Sequence, residues 1–274
     1  YVDKKELPTL STRLSTRTVL VDNNVLDRWI VSKMNHLVSV MEFNLDKYDV
    51  AKAVLALEDF FISDLSLWYL RRSRKRFHDL SQQVEDNKDR KEAIETLYFV
   101  LLVLTKIIAP IMPFFAEKMY QNLKSEKMPE SVHLNDWPRI GSQTDLDLEQ
   151  KMDEVRNIVN LALAERSAKA IKVRQPLALL KIKDIKSKIK NNEELLNLIQ
   201  DEVNVKEVVF DDKIKSKVYL DTALTKELIK EGKVREIIRA YNDMRKEGGY
   251  VPGMYVTNIF STAMAISDPK ILEE

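Results

Sequence analysis

At 274 residues the chain is too long for one small module and fits one large domain or two ordinary ones. Its 44 Lys and Arg stand against 43 Asp and Glu, and the net charge of +1 excludes a polybasic tail or a wholesale electrostatic binder. With no cysteine, a disulfide framework, a thiolate zinc site and a cysteine nucleophile are all excluded, and a reducing, cytoplasmic setting is expected.

Residues 1–21 read as a polar lead-in without a clear period, and a chain opening on Tyr1 is expected to come from something larger. Asp22-Asn23-Asn24 offers N-cap side chains, after which Leu26, Trp29, Ile30, Leu37, Val38 and Met41 recur at helical spacing. Asn44-Leu45-Asp46 breaks that helix, and Asp46 with Asp49 forms a variant capping pair. One long helix is predicted over 47–78, with Leu57, Phe61, Leu65 and Trp68 on its inner stripe. A solvated stretch over 82–91 turns the chain into a third helix, which carries Ile94, Leu97, Tyr98, Leu101, Leu104 and Ile108 inward. Pro110 and Pro113 must interrupt it, because proline removes a donor and clashes with the preceding turn. The helix resumes over 114–123, and a loop over 124–141 closes this half. Long antiparallel helices with short turns predict a bundle spanning 22–141.

The second half, 142–274, changes texture. A helix over 147–170 precedes strand-like runs at 177–182, 205–210 and 217–220, with a helix at 193–203 between the first two. A last helix over 225–246 stops at Gly248-Gly249, and one more strand is expected within 254–266. The whole is a mainly α fold, a helical bundle followed by a smaller α+β domain. The scarcity of glycine, five residues in all, agrees with that helix content.

Chemistry-bearing motifs are absent. His36, His78 and His133 are scattered, no Gly-rich phosphate loop occurs, and Asp211-Asp212 lies among lysines in a predicted turn. No apolar run approaches the roughly 20 residues a membrane span needs. No catalytic residue, metal ligand or cofactor is expected in this chain.

One constellation stands out. Arg71-Arg72-Ser73-Arg74-Lys75-Arg76 follows Trp68-Tyr69 at the end of the long helix. Favourable interaction with the helix dipole accounts for two or three of these cations, at ~0.3–1 kcal/mol each. It does not account for Arg71 with Lys75 and Arg72 with Arg76, like charges four apart that repel on shared faces. Either a carboxylate such as Glu85 or Asp86 folds back onto them in an inter-helix salt network, or the helix end awaits an anion. Guanidinium forks match phosphate oxygens, so nucleic acid is the anion in view. Trp29 and Trp68 continue apolar stripes and are expected in the core.

Several segments resemble isoleucyl-tRNA synthetases. These are Asp27-Arg28-Trp29-Ile30, Asp64-Leu65-Ser66-Leu67-Trp68-Tyr69-Leu70 with the Arg run and Phe77, and Ile108-Ala109-Pro110-Ile111-Met112-Pro113-Phe114. Ser131-Val132-His133-Leu134-Asn135-Asp136-Trp137-Pro138, Ile171-Lys172-Val173-Arg174-Gln175-Pro176-Leu177 and the region 225–249 extend the resemblance over most of 22–251. It implies the anticodon-binding bundle and appended C-terminal region of a class I synthetase, with isoleucine tRNA as partner. The catalytic and editing domains of the full-length chain are implied as further partners. ATP and Mg would serve that catalytic domain, whose signature motifs this sequence lacks, so the isolated chain is expected to be inactive in aminoacylation. Arg71, Arg72, Arg74, Lys75 and Arg76 are the expected phosphate contacts, with Lys169, Lys172 and Arg174 as a second patch and Lys233, Arg235 and Arg239 behind them. The alternatives are the equivalent region of a valyl or leucyl relative, or a non-enzymatic helical scaffold that docks proteins.

Overall fold

The computed structural model describes residues 24–78, 88–139, 144–183 and 187–250. The lead-in, Glu85 and Asp86, and the strand expected within 254–266 lie outside the described residues. The chain divides after Met152 into two compact units, the first a helical bundle and the second a small α+β fold.

In the first unit α1 (Val25–Asp46) is the central element. Asn24 caps it, its Oδ1 accepting from the Leu26 amide at 3.0 Å. It packs against α2 (Val50–Asp59), the π-helical segment that follows (Phe60–Leu70) and α4 (Lys88–Ile108). Neighbours on more than one side explain why Val25 and Val31 are buried as well as the predicted stripe of Trp29, Ile30, Leu37 and Met41. Tyr48, in the turn that reverses the chain, takes a left-handed backbone at φ 58°. Asp49 then caps α2, Oδ1 accepting from the Lys52 amide at 3.2 Å.

The single helix expected over 47–78 is three pieces: α2, the π segment and α3 (Arg74–His78). A π turn bonds i to i+5 and so rotates the inward face by about one residue. Phe60, Asp64, Leu65, Trp68 and Tyr69 are buried, while Phe61, expected inside, is 51% exposed. Ser66 Oγ donates to the Phe61 carbonyl at 2.7 Å within the widened turn. The same rotation turns the Asp64 carboxylate inward, where Lys33 meets it at 3.1 Å.

α4 ends at Ile108, and Pro113 opens α5 (Pro113–Leu123) in the first turn, where a missing N–H costs nothing. α5 packs back on α4, with Tyr98 Oη donating to the Leu123 carbonyl at 2.9 Å. The first turns of α6 (Leu146–Ala168) complete this unit. Glu149 accepts from Ser32 Oγ at 2.5 Å and lies 3.2 Å from His36 Nδ1. Trp68 Nε1 donates to Met152 Sδ at 3.2 Å, so both Trp29 and Trp68 belong to the core, as expected.

The second unit holds a three-stranded sheet in the order β2-β1-β3. β1 (Leu177–Ile182) runs parallel to β2 (Val205–Phe210) and antiparallel to β3 (Val218–Leu220). Parallel neighbours need a crossover, and α7 (Glu193–Val203) supplies it with Leu195, Leu198, Ile199 and Val203 buried. α7 ends on Asn204, left-handed at φ 55°, a conformation that asparagine tolerates better than most residues. α8 (Lys226–Glu247) is capped by Thr225 and buries only Leu228 and Gly232. A Cβ at Gly232 would meet the amide at the end of the Gln175 side chain, which would have to shift to admit it. That amide donates to the Leu228 carbonyl at 2.7 Å.

Candidate nucleic-acid interface

The basic run sits where the π segment gives way to α3. Ordinary α-helical bonds carry the backbone through it: Ser73 N donates to the Tyr69 carbonyl at 2.9 Å and Phe77 N to the Ser73 carbonyl at 3.1 Å. Helical periodicity therefore sorts the cations. Arg71, Arg74 and Lys75 share an outer face and are exposed, whereas Arg72 and Arg76 turn inward and are partly buried. Arg71 Nε donates to the Leu67 carbonyl at 3.0 Å, which holds this side chain along its own helix.

Arg76 is withdrawn from the expected set of phosphate contacts. Its Nη2 and Nη1 reach Asp27 Oδ2 and Oδ1 at 2.6 and 3.0 Å, and its Nε reaches Asp89 Oδ2 at 2.8 Å. Only 11% of the Arg76 side chain is accessible and none of that of Asp27. Burial alone would lower the guanidinium pKa, but the bonds to Asp27 and Asp89 outweigh it and hold the group more firmly protonated than a free arginine. Tyr69 Oη donates to Asp27 Oδ1 at 2.8 Å, and burial, then the Asp27 charge, pushes the phenol well above 10. The salt-network reading thus holds for Arg76, through Asp27 and Asp89. A signal in the sequence could have found it: Leu65, Tyr69, Arg72 and Arg76 fall at i, i+4, i+7 and i+11, so the apolar stripe runs into those two arginines.

In the second unit the loop before β1 is organised by Arg166, which is 1% exposed. Its Nη1 donates to the carbonyls of Lys172 and Gln175 at 3.0 and 2.9 Å, and its Nη2 to that of Asn204 at 2.9 Å. With carbonyl partners here, burial lowers its pKa to about 10. This clamp fixes the Lys172-Val173-Arg174-Gln175 turn. Lys172 Nζ meets Glu236 Oε1 at 2.6 Å, and Lys169 Nζ lies 3.7 Å from Glu165 Oε2. Both ion pairs are exposed and contribute little to stability. Arg174 is exposed. The two basic patches lie in separate units: Arg71, Arg74 and Lys75 in one, Lys169, Lys172 and Arg174 in the other.

Among the described residues no group of three or more His, Cys, Asp or Glu is placed to hold a metal ion, and no helix is long and apolar enough to cross a membrane. The geometry offers charge and hydrogen-bond donors on helices and on the turn before β1. A family model described as the anticodon-binding domain of tRNA ligase matches residues 27–183. The chain belongs to that family.

The chain is similar to isoleucine–tRNA ligase of Chlamydia muridarum, 46% identical over 186 residues that make up 68% of this chain and 18% of the relative. Isoleucine–tRNA ligase of Protochlamydia amoebophila is 42% identical over 197 residues, 71% of this chain and 18% of the relative. The chain thus spans 18% of the length of the curated relatives it matches. The resemblance read from the motifs is borne out. The motif residues Asp27, Asp64, Trp68 and Tyr69 are all buried in this domain, so in the bundle those motifs describe core and ion-pair positions.

Proposed function

We propose that this chain is the tRNA-binding portion of an isoleucine–tRNA ligase. It holds the anticodon stem-loop of isoleucine tRNA while a catalytic domain elsewhere in the ligase uses ATP and Mg to activate isoleucine and charge the acceptor end. The observation that carries the reading is the 46% identity to an isoleucine–tRNA ligase over 186 residues of a chain that matches the anticodon-binding family. The outward Arg71, Arg74 and Lys75 support it, as does the second patch of Lys169, Lys172 and Arg174. Backbone phosphates supply affinity to such a surface, and splayed anticodon bases supply discrimination. The catalytic and editing domains of the ligase are the remaining partners, and this chain contributes no catalytic group.

A filter-binding titration tests the proposal. Isoleucine tRNA is expected to bind saturably, in preference to a tRNA with an unrelated anticodon, and with affinity falling as salt rises. Saturable binding that ignores the anticodon, or none at all, would overturn it. ATP–pyrophosphate exchange with isoleucine is expected to be absent for the isolated chain.

A further inference from the structure

Beside the turn held by Arg166, the outer face of α8 borders a shallow, open cleft of about 540 Å³, lined by Arg174, Arg235, Ile238, Arg239, Asn242, Asp243 and Lys246. That volume falls within the ~300–1,000 Å³ of small-ligand sites. Arg235, Arg239, Asn242 and Lys246 are spaced i, i+4, i+7 and i+11, a single stripe along α8. Arg235 and Arg239 are each paired at i,i+4 on their own helix, with Glu231 and Asp243, so the charge left over in the cleft comes from Arg174 and Lys246.

Two of the four cations are held in place by the fold. Arg235 Nη1 donates to Asn204 Oδ1 at 2.5 Å and its Nη2 to Glu231 Oε1 at 2.9 Å. Arg239 Nε donates to Asp243 Oδ2 at 3.2 Å, which occupies the one carboxylate in the lining. The side chains of Arg174 and Lys246 make no hydrogen bond or ion pair among the described residues. Arg174 contributes only to the field that, after the Lys172 hydrogen bond, lowers the Glu236 carboxyl pKa. The cleft therefore has a surplus of positive charge, an aliphatic wall at Ile238, and at Asn242 an amide that both donates and accepts.

We infer that this cleft seats one unpaired nucleotide of the bound RNA. Its phosphate lies between Arg174 and Lys246, its base face rests on Ile238, and its base edge is read by Asn242. The inference rests on the tRNA-binding reading above and deepens it. A duplex backbone would use the cations but leave the aliphatic wall and the amide without a partner, because stacked and paired bases present neither a free face nor a free pairing edge.

The test uses the whole chain with three sets of variants: Arg174→Gln with Lys246→Gln, Asn242→Ala, and Arg74→Gln with Lys75→Gln for comparison. Circular dichroism confirms that each is folded. The cleft pair is expected to weaken isoleucine tRNA binding about tenfold and to make the salt dependence shallower by about 1.4, two contacts at ~0.7 each. Asn242→Ala should weaken the tRNA and leave duplex RNA of equal length unaffected. A benzophenone side chain placed at position 242 should cross-link to one unpaired nucleotide. Equal losses on duplex RNA or heparin, or cross-links scattered over the tRNA, would overturn the assignment. So would cleft variants that bind like the unmodified chain while the Arg74 and Lys75 pair weakens binding, and that result would leave the wider function standing. Failure of the unmodified chain to bind tRNA would overturn both.

Discussion

Arg76 grips the carboxylate of Asp27 with both arms of its guanidinium, at 2.6 and 3.0 Å, across a sequence separation of 49 residues. The carboxylate has no solvent access, so this contact fixes the end of α3 to the start of α1. Removing one partner of such a pair leaves a buried charge without compensation. Arg76→Ala should therefore destabilise the bundle by about 3–5 kcal/mol. Urea unfolding measures this, and tRNA affinity of the folded fraction should be unchanged. A variant of unaltered stability with weakened tRNA binding would return Arg76 to the phosphate contacts.

Tyr69, on the same carboxylate, gives the bundle a dependence on alkaline pH. Its folded pKa lies well above the ordinary value of 10. The folded state then holds a proton that the unfolded state releases, so this contribution is complete below pH ~10 and is lost as pH rises toward the folded value. Unfolding free energy should fall above pH ~10, and Tyr69→Phe should flatten that part of the profile. The substitution also removes a bond to a buried carboxylate, so it should lower stability at neutral pH by about 1.5–3 kcal/mol. Chemical denaturation at stepped pH reads both effects.

The outer face predicts the opposite pattern. Arg74→Gln with Lys75→Gln alters exposed side chains, so the unfolding free energy should move by no more than about 0.5 kcal/mol. The slope of log affinity against log salt should become shallower by about 1.4, two phosphate contacts at ~0.7 each. Melting curves and salt titrations of the same preparation decide between contact and structural support.

Gly232 lies mid-helix, where glycine ordinarily costs about 1 kcal/mol relative to alanine. Here the sign reverses. A methyl group at 232 would displace the Gln175 amide from the Leu228 carbonyl it meets at 2.7 Å. Gly232→Ala is expected to destabilise the second unit by about 1 kcal/mol, the scale of displacing the Gln175 side chain from its part-buried hydrogen bond offset by the gain in helix propensity. A thermal melt that rose instead would show that Gln175 is free to move aside.

Much of the fold was legible because it depends on local rules. The apolar spacing of Trp29, Ile30, Leu37 and Met41 marks α1, Pro113 marks the start of α5, and the short strand-like runs at 177–182 and 205–210 mark the paired strands. What escaped depends on long-range partners. Phe61 faces solvent because the π segment turns the helix, and nothing in the composition of 60–70 distinguishes a π turn from an α turn. Within the basic run every cation looks alike until Asp27 and Asp89 are placed beside it. The division into outer and inner arginines was available from the stripe ending at Tyr69, but its meaning required α1. In the second unit Arg166 has no local feature that reveals its three carbonyl partners, which come from segments up to 38 residues away.

Asn204 joins those segments. Its carbonyl receives Arg166, its amide nitrogen reaches the Val173 carbonyl at 2.8 Å, and its side-chain oxygen receives Arg235. All three are made from the left-handed residue that ends α7. The turn at 172–175 and α8 therefore share a single anchor at the end of the crossover, and a substitution of Asn204 would loosen both at once.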